Sequence, residues 1–306
     1  MTHMNGVIHT NPTDRHLVRA YWTAFLQYWD LIPFLSIHLM GLWAFHTGIR
    51  PEWIMLAVVS YYVRMVGVTA GYHRYFSHRS YKTSRLFQFV LAFLAMTSAQ
   101  KGVLWWAAHH RHHHRYSDEE PDVHSPLQKG FWSAHVGWML AKESAGTDFN
   151  RVRDLSRYPE LRFLNRYHYI PPFLYALLIY ILWGFPGLVW GFFVSTTALY
   201  HCTFFINSLT HMVGRIRYKS NDKSKNSFLL AILCCGEGWH NNHHHYQSAV
   251  NQGWFWWEVD LSYYVLSALS WVGVVWDLRK PPAHIKARTI AVEDGALAQL
   301  SSGIRG

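Results

Sequence analysis

Three short histidine-rich segments hold the residues of this chain that could do chemistry. The first, GYHRYFSH, ends a long apolar stretch and supplies His73 and His78. The second, HHRHHH, supplies His110, His113 and His114, with His109 and His112 beside them. The third, HNNHHH, supplies His240, His243 and His244, followed by His245. In the second and third, the spacing i, i+3, i+4 puts three rings on one helix face. The five-residue spacing of His73 and His78 instead turns their rings ~140° apart on a regular helix. That pair would serve different metals or need a helix end between its members. Neutral imidazole suits iron, zinc, copper or nickel. Eight such donors exceed the four that one tetrahedral zinc takes, so two metals are expected. A dinuclear site with open positions can activate water or oxygen. The competing reading of a histidine run is a disordered metal-buffering tract. Both long runs lie between apolar, structured segments, which disfavours it.

Ring nitrogens turned away from a metal need acceptors. Glu237, Asp118, Glu119 and Asp122 are near enough in sequence to serve. A solvated acidic turn is the alternative for the 117–122 run.

The elements that must position these segments are apolar helices. Of 306 residues, 50% are hydrophobic, 17% aromatic and only 15% charged, against ~25% charged in a typical soluble domain. Those values exclude a disordered chain, a collagen and a charged coiled coil. Four stretches, roughly 31–47, 53–71, 171–185 and 188–207, approach the ~20 apolar residues that cross hydrocarbon as a helix. They form two tight hairpins. Fourteen Lys and Arg lie between the second and third stretches and ten more follow the fourth, whereas the two hairpin turns together carry only Arg50. Positive charge marks the cytoplasmic side. Both termini and all three histidine segments are therefore expected there. The +10 net charge is read as topology, so no nucleic-acid partner is needed to explain it.

Several further stretches carry weaker expectations. Residues 86–99 are too few to span and read as a buried or interfacial helix. Residues 254–276, with five Trp, read as a helix at the headgroup level, a fifth span being the alternative. Cys202, Cys234 and Cys235 form no CxxC pair, which excludes a disulfide framework. The first 19 residues have no apolar core, so no cleavable signal peptide is expected. Arg64, inside the second stretch, is expected to snorkel or to pair with a polar group. His38 and His46 read as packing residues.

The motifs GYHRYFSH (71–78), WAAHHRHHH (106–114) and GEGWHNNHH (236–244) resemble the three histidine boxes of the integral-membrane fatty-acyl desaturases. The likeness is to the Δ9 class, the stearoyl-CoA and cyanobacterial acyl-lipid desaturases. WSAHVGWML (132–140) and residues 237–261 extend it, and it covers roughly residues 35–265. The resemblance implies an all-α integral-membrane fold: four transmembrane helices in two hairpins under a helical cytoplasmic cap that holds a dinuclear metal site. On that basis 1–30 is a cytoplasmic segment and 31–290 a single membrane desaturase domain. Residues 72–170 and 208–290 form its cap, and 291–306 is a flexible tail.

The resemblance also implies two iron ions held by nine histidines. These are the eight above and His211, in the motif NSLTH, with Asn207 binding one metal through water. Gln100 and Trp106 match positions that line the bend of an acyl tunnel. The implied reaction is O2-dependent insertion of a cis double bond, Δ9, into a long acyl chain carried on CoA or lipid. Removing two hydrogens from an unactivated CH2–CH2 pair needs an oxidant stronger than any side chain. No fused cytochrome b5 segment is recognised, so electrons are expected from an external donor such as ferredoxin or a reductase chain. Arg74, Arg111, Arg115, Lys142, Arg151 and Arg153 could hold an anionic headgroup, CoA or a carrier phosphate. Equally, they could only satisfy the positive-inside bias and touch membrane lipid. Two features depart from the family: Asp122-Val-His124 stands where Asp-Pro-His is usual, and His109, His112 and His245 crowd the boxes. Alkyl hydroxylation and decarboxylation to a terminal alkene are the competing reactions. A non-catalytic metal-binding membrane protein would need polar groups along the spans, which are nearly absent.

Overall fold

The computed structural model describes residues 31–289, so the expected N-terminal segment and tail lie outside the described residues. The first apolar stretch forms the helix Leu31–Gly41 and one further turn, Ala44–Thr47. Pro51 opens the next helix at its first position, where a missing N–H costs nothing. Pro51–Val66 passes without interruption into a wider π-helix, Gly67–Ser77. The helix Arg85–Met96, capped by the Ser84 hydroxyl, packs directly against that π segment. A Cβ on Gly67 would stand 3.1 Å from the Ala95 nitrogen, and one on Gly71 would stand 3.2 Å from the Leu91 carbonyl oxygen. Only glycine lets these two backbones approach so closely.

The third and fourth apolar stretches run from Ile170 to His211 with one break. Gly184 has φ 64° and ψ −163°, a conformation open to glycine alone. Beyond it, a Cβ on Gly191 would lie 3.0 Å from Ile179 Cγ2. In an unbroken helix, residues twelve apart are ~18 Å apart. The chain therefore folds back at Gly184 into two antiparallel rods, 170–183 and the returning 185–208. The Pro51–Ser77 helix and the Ile170–His211 run are long and apolar enough to cross a membrane. Val58, Val59, Leu178, Ile181 and Leu182 point outward on them. So many large apolar side chains left outward along long helices suit a nonaqueous surrounding better than water.

Arg64 does not snorkel. It is fully buried between the rods and donates to the Ser60 and Thr97 carbonyls and to the Thr196 and Ser195 hydroxyls. Tyr175 and Phe192 lie 4.9 and 5.6 Å from its guanidinium carbon.

Above the rods sit the helices Val103–Tyr116, Pro159–Arg166, His240–His245 and Leu261–Trp271. Tyr72, Phe76, Leu104, Leu155 and Leu199 join rods and upper layer in one core. Asn165 Oδ1 accepts from the Leu104 and Trp105 N–H groups at 3.0 and 2.9 Å, capping the helix that carries the second histidine segment. The 254–276 stretch is not one helix. Its regular part, Leu261–Trp271, has 11 residues, about 16 Å at 1.5 Å per residue, too short for a fifth span. Glu258 and Asp260 turn inward there: Glu258 accepts from Trp254 N–H and Asn242 Nδ2, and Asp260 caps Leu261–Trp271 through Tyr263 N–H. The strands Lys82–Thr83 and Val275–Trp276 pair antiparallel.

Candidate metal centre

The histidine segments meet at the upper end of the rods in two groups. His73, His78, His110, His114 and His243 form one, and His113, His211, His240 and His244 the other. Each box helix serves both. Val103–Tyr116 sends His110 and His114 to the five-histidine group and His113 to the four-histidine group. His240–His245 does the converse, sending His240 and His244 to the second group and His243 to the first. The spacing i, i+4 therefore defines one group and the intervening residue enters the other.

His73 and His78 converge rather than diverge, with Nε2 atoms 3.1 Å apart. The ~140° expectation assumed an α-helix. The chain here is a π-helix, and the His78 N–H reaches the His73 carbonyl five residues back, so residue 78 stacks nearly over residue 73.

The Nε2 atoms within each group face one another at close range. Nε2 separations are 2.8 Å for His78–His110, 2.9 Å for His114–His243, and 3.1 Å for His73–His243 and His211–His240. Nitrogens ~2.0–2.1 Å from a shared ion would stand about 2.9 Å apart at right angles and about 3.3 Å in a tetrahedron. The short separations fit a cation with more than four ligands. His244 Nε2 is buried with no hydrogen-bond partner, which an ion would satisfy.

Carboxylates fix which ring nitrogen carries the proton. His73 Nδ1 lies 2.5 Å from Glu237, His113 Nδ1 2.9 Å from Asp122, His211 Nδ1 2.9 Å from Asp118 and His244 Nδ1 2.5 Å from Asp222. A proton held on Nδ1 leaves the inward Nε2 free to bind metal. Burial and then neighbouring imidazoles push His78, His110, His114, His240 and His243 well below the usual histidine range. They are neutral imidazoles at physiological pH. Burial alone would raise the Asp222 carboxyl, but His244 outweighs it and holds that group far below the ordinary carboxylate range.

A cavity of about 430 Å³ lies beside the groups, its lining including Phe34, Ile37, Trp106, His110 and Asn207. Gln100 lines it between two residues of positive φ, Ala99 at 57° and Lys101 at 63°. Tyrosines anchor both: Tyr200 donates to the Ala99 carbonyl and Tyr72 to the Lys101 carbonyl. Gln100 Nε2 then donates to Thr203 Oγ1 at 3.1 Å. Trp106 stacks on Tyr72 and His110.

The family model described as Fatty acid desaturase matches residues 51–279. The chain belongs to the fatty acid desaturase family. It is 37% identical over 259 residues to the sn-1 stearoyl-lipid 9-desaturase of Synechocystis sp., covering 83% of this chain and 81% of that protein. Identity is 34% over 265 residues with the chloroplastic palmitoyl-monogalactosyldiacylglycerol delta-7 desaturase of Arabidopsis thaliana, covering 85% and 71%. It is 33% over 258 residues with the icosanoyl-CoA 5-desaturase of Limnanthes douglasii, covering 82% and 72%. The chain is thus an oxidoreductase of the acyl desaturase type.

The remaining expected site residues of this desaturase fall unevenly. Asp118, Asp122 and Glu237 touch ligand-group imidazoles, as described, whereas Glu119 is exposed and meets none of them. None of the six basic residues expected at a headgroup lines the cavity; Lys101 does. Arg74 is buried, with NH1 on Asp260 and Val250 O and NH2 on Glu237, so it has no face for a headgroup. Arg111 is spent on Asp154 and the Ser77, Phe76 and Arg151 carbonyls. Arg151 pairs with Asp148, Arg153 bonds Asn150, and Arg115 and Lys142 are exposed. Sequence reasoning missed Asp222, the single acid in the basic 215–225 loop, and Gln252, which donates to Glu237. His38, His201 and His135 form a separate file, with ring nitrogens 3.1 and 3.0 Å apart.

Proposed function

We propose that this chain is an integral-membrane, O2-dependent desaturase that places a cis double bond, Δ9, in a long acyl chain carried on CoA or lipid. Its two irons are held by His73, His78, His110, His114 and His243 on one side and by His113, His211, His240 and His244 on the other. Asn207 serves one of the two through a water. Four transmembrane helices carry a cytoplasmic cap, with both termini and the centre on the cytoplasmic side. An external one-electron donor such as ferredoxin or a reductase chain supplies reductant.

The observation that carries this reading is the cavity whose lining joins His110 and Asn207 to apolar residues such as Phe34, Ile37 and Phe193. Its apolar walls take an alkyl chain and exclude water, so an oxidant made there meets C–H bonds rather than solvent. When bound, the irons supply the oxidant from O2. One O2, two electrons, two protons and two acyl hydrogens leave as two waters. The residues of the chain do the positioning. Gln100, held by Thr203 and by the strained turn, fixes the cavity wall, and Trp106 aligns the chain beside His110. The four carboxylates keep protons on Nδ1 of their histidines.

The test is expression with defined saturated acyl chains, metal analysis and mass-spectrometric location of the double bond. A new monounsaturated product should appear and vanish in His113→Ala and His243→Ala. An unchanged fatty-acid profile with full iron loading would refute the assignment.

A further inference from the structure

The outward-facing ring nitrogens of the two groups meet different charges. In the five-histidine group only His73 meets a carboxylate, Glu237. That carboxylate is itself held by Arg74, which also pairs with Asp260. His114 Nδ1 and His243 Nδ1 are buried without a hydrogen-bond partner. In the four-histidine group three rings of four meet carboxylates: His113 with Asp122, His211 with Asp118 and His244 with Asp222. Their other partners are neutral. Asp118 accepts from Ser125 Oγ and Lys223 N–H, Asp122 from the Asp118 and His124 N–H groups, and Asp222 from Ser220 Oγ and Ser224 N–H. Among the described residues no Lys or Arg side chain pairs with any of the three.

We propose that the two metal positions are electronically unequal: the four-histidine position keeps the higher oxidation state, and the five-histidine position takes the first reducing electron. This rests on the di-iron reading above. An imidazole that donates its far N–H to a carboxylate is a stronger donor to its metal. Unneutralised negative charge nearby also favours the more positive ion. Three such carboxylates act on one position. One acts on the other, and Arg74 offsets it. Arg74 is therefore a positioning residue that tunes the centre through Glu237 and His73. In the step itself, one electron from an added reductant turns a ferric pair into ferrous iron at the five-histidine position and ferric iron at the other. A second electron makes both ferrous, and no bond forms or breaks.

The experiment uses the full chain in detergent, loaded with iron-57 and titrated with dithionite. Iron content is measured first, and Mössbauer spectra are taken at one electron per chain. A half-reduced species with one ferric and one ferrous signal is expected. Asp222→Asn should shift the ferric signal and lower the half-reduced fraction. Asp118→Asn, a second variant in case the first folds poorly, should act on that same signal, whereas Glu237→Gln should shift the ferrous one. With two irons per chain, reduction in a single step, or an Asp222→Asn change confined to the ferrous signal, overturns the asymmetry and leaves the di-iron reading standing. Fewer than two irons per chain overturns that reading and the asymmetry with it.

Discussion

Glu237→Gln probes the link between a buried ion pair and metal retention. Glu237 and Arg74 are both buried, 3.1 Å apart. At an effective dielectric constant of ~20, unit charges at that distance interact by about 5 kcal/mol. The glutamine oxygen still accepts from Arg74, and Asp260 at 2.9 Å still neutralises it. The expected net loss is therefore about 3 kcal/mol, the low end for breaking a buried pair. In a chain of 306 residues, with ~2.1 cal/mol/K of unfolding entropy per residue, that lowers the melting temperature by about 5 °C. His73 also loses its anionic acceptor, which should weaken metal affinity about 10–100-fold. The assay is thermal unfolding in detergent, paired with iron retained after dialysis against graded chelator. Glu160→Gln is the control, because its bond to Arg85 lies at the surface, where such pairs contribute about 0–1 kcal/mol. A Glu237→Gln protein that melts within about 2 °C of the parent (below the roughly 5 °C expected) and keeps its iron equally well would refute the reasoning.

Three other outcomes are expected. Gly67→Val should drive a side chain into the Leu94–Ala95 backbone, costing about 1–3 kcal/mol. It should also disturb the π-helix enough to lower iron content, read by metal analysis. Thr203→Ala removes the hydrogen-bond partner of Gln100 Nε2 and should broaden the double-bond positions seen by mass spectrometry, with iron content unchanged. Acid should destabilise the metal-free protein. Burial lowers His110, His114, His240 and His243 below their ordinary value of 6.5, so the unfolded chain takes up protons that the folded chain refuses. Stability is full above pH 6.5 and falls as pH drops below it, measurable as a melting temperature that declines from pH 7.5 to 5.5.

The histidine spacing made the second and third boxes legible, because i, i+3, i+4 is a property of any α-helix. The turn at Gly184 was equally plain, since glycine and proline punctuate an apolar run there. The convergence of His73 and His78 was not, because nothing local announced that the helix widens. Its glycines take effect only against Arg85–Met96, an element further along the chain. Arg74 looked like a surface cation because its partner Asp260 lies 186 positions away. Asp222 was hidden among basic residues for the same reason: His244 is 22 positions off. The 254–276 stretch misled because its composition is that of an interfacial helix, while Glu258 and Asp260 are consumed by long-range bonds.

The crossed sharing of the box helices has a consequence for assembly. Rolling either helix about its axis moves donors of both groups together, since His113 sits between His110 and His114, and His243 between His240 and His244. Neither position can relax without straining the other. An ion that orders one group therefore prepays the ordering of its neighbour, and metal uptake should be cooperative. Half-loaded molecules would be scarce, and chelation should strip both ions in one transition rather than two.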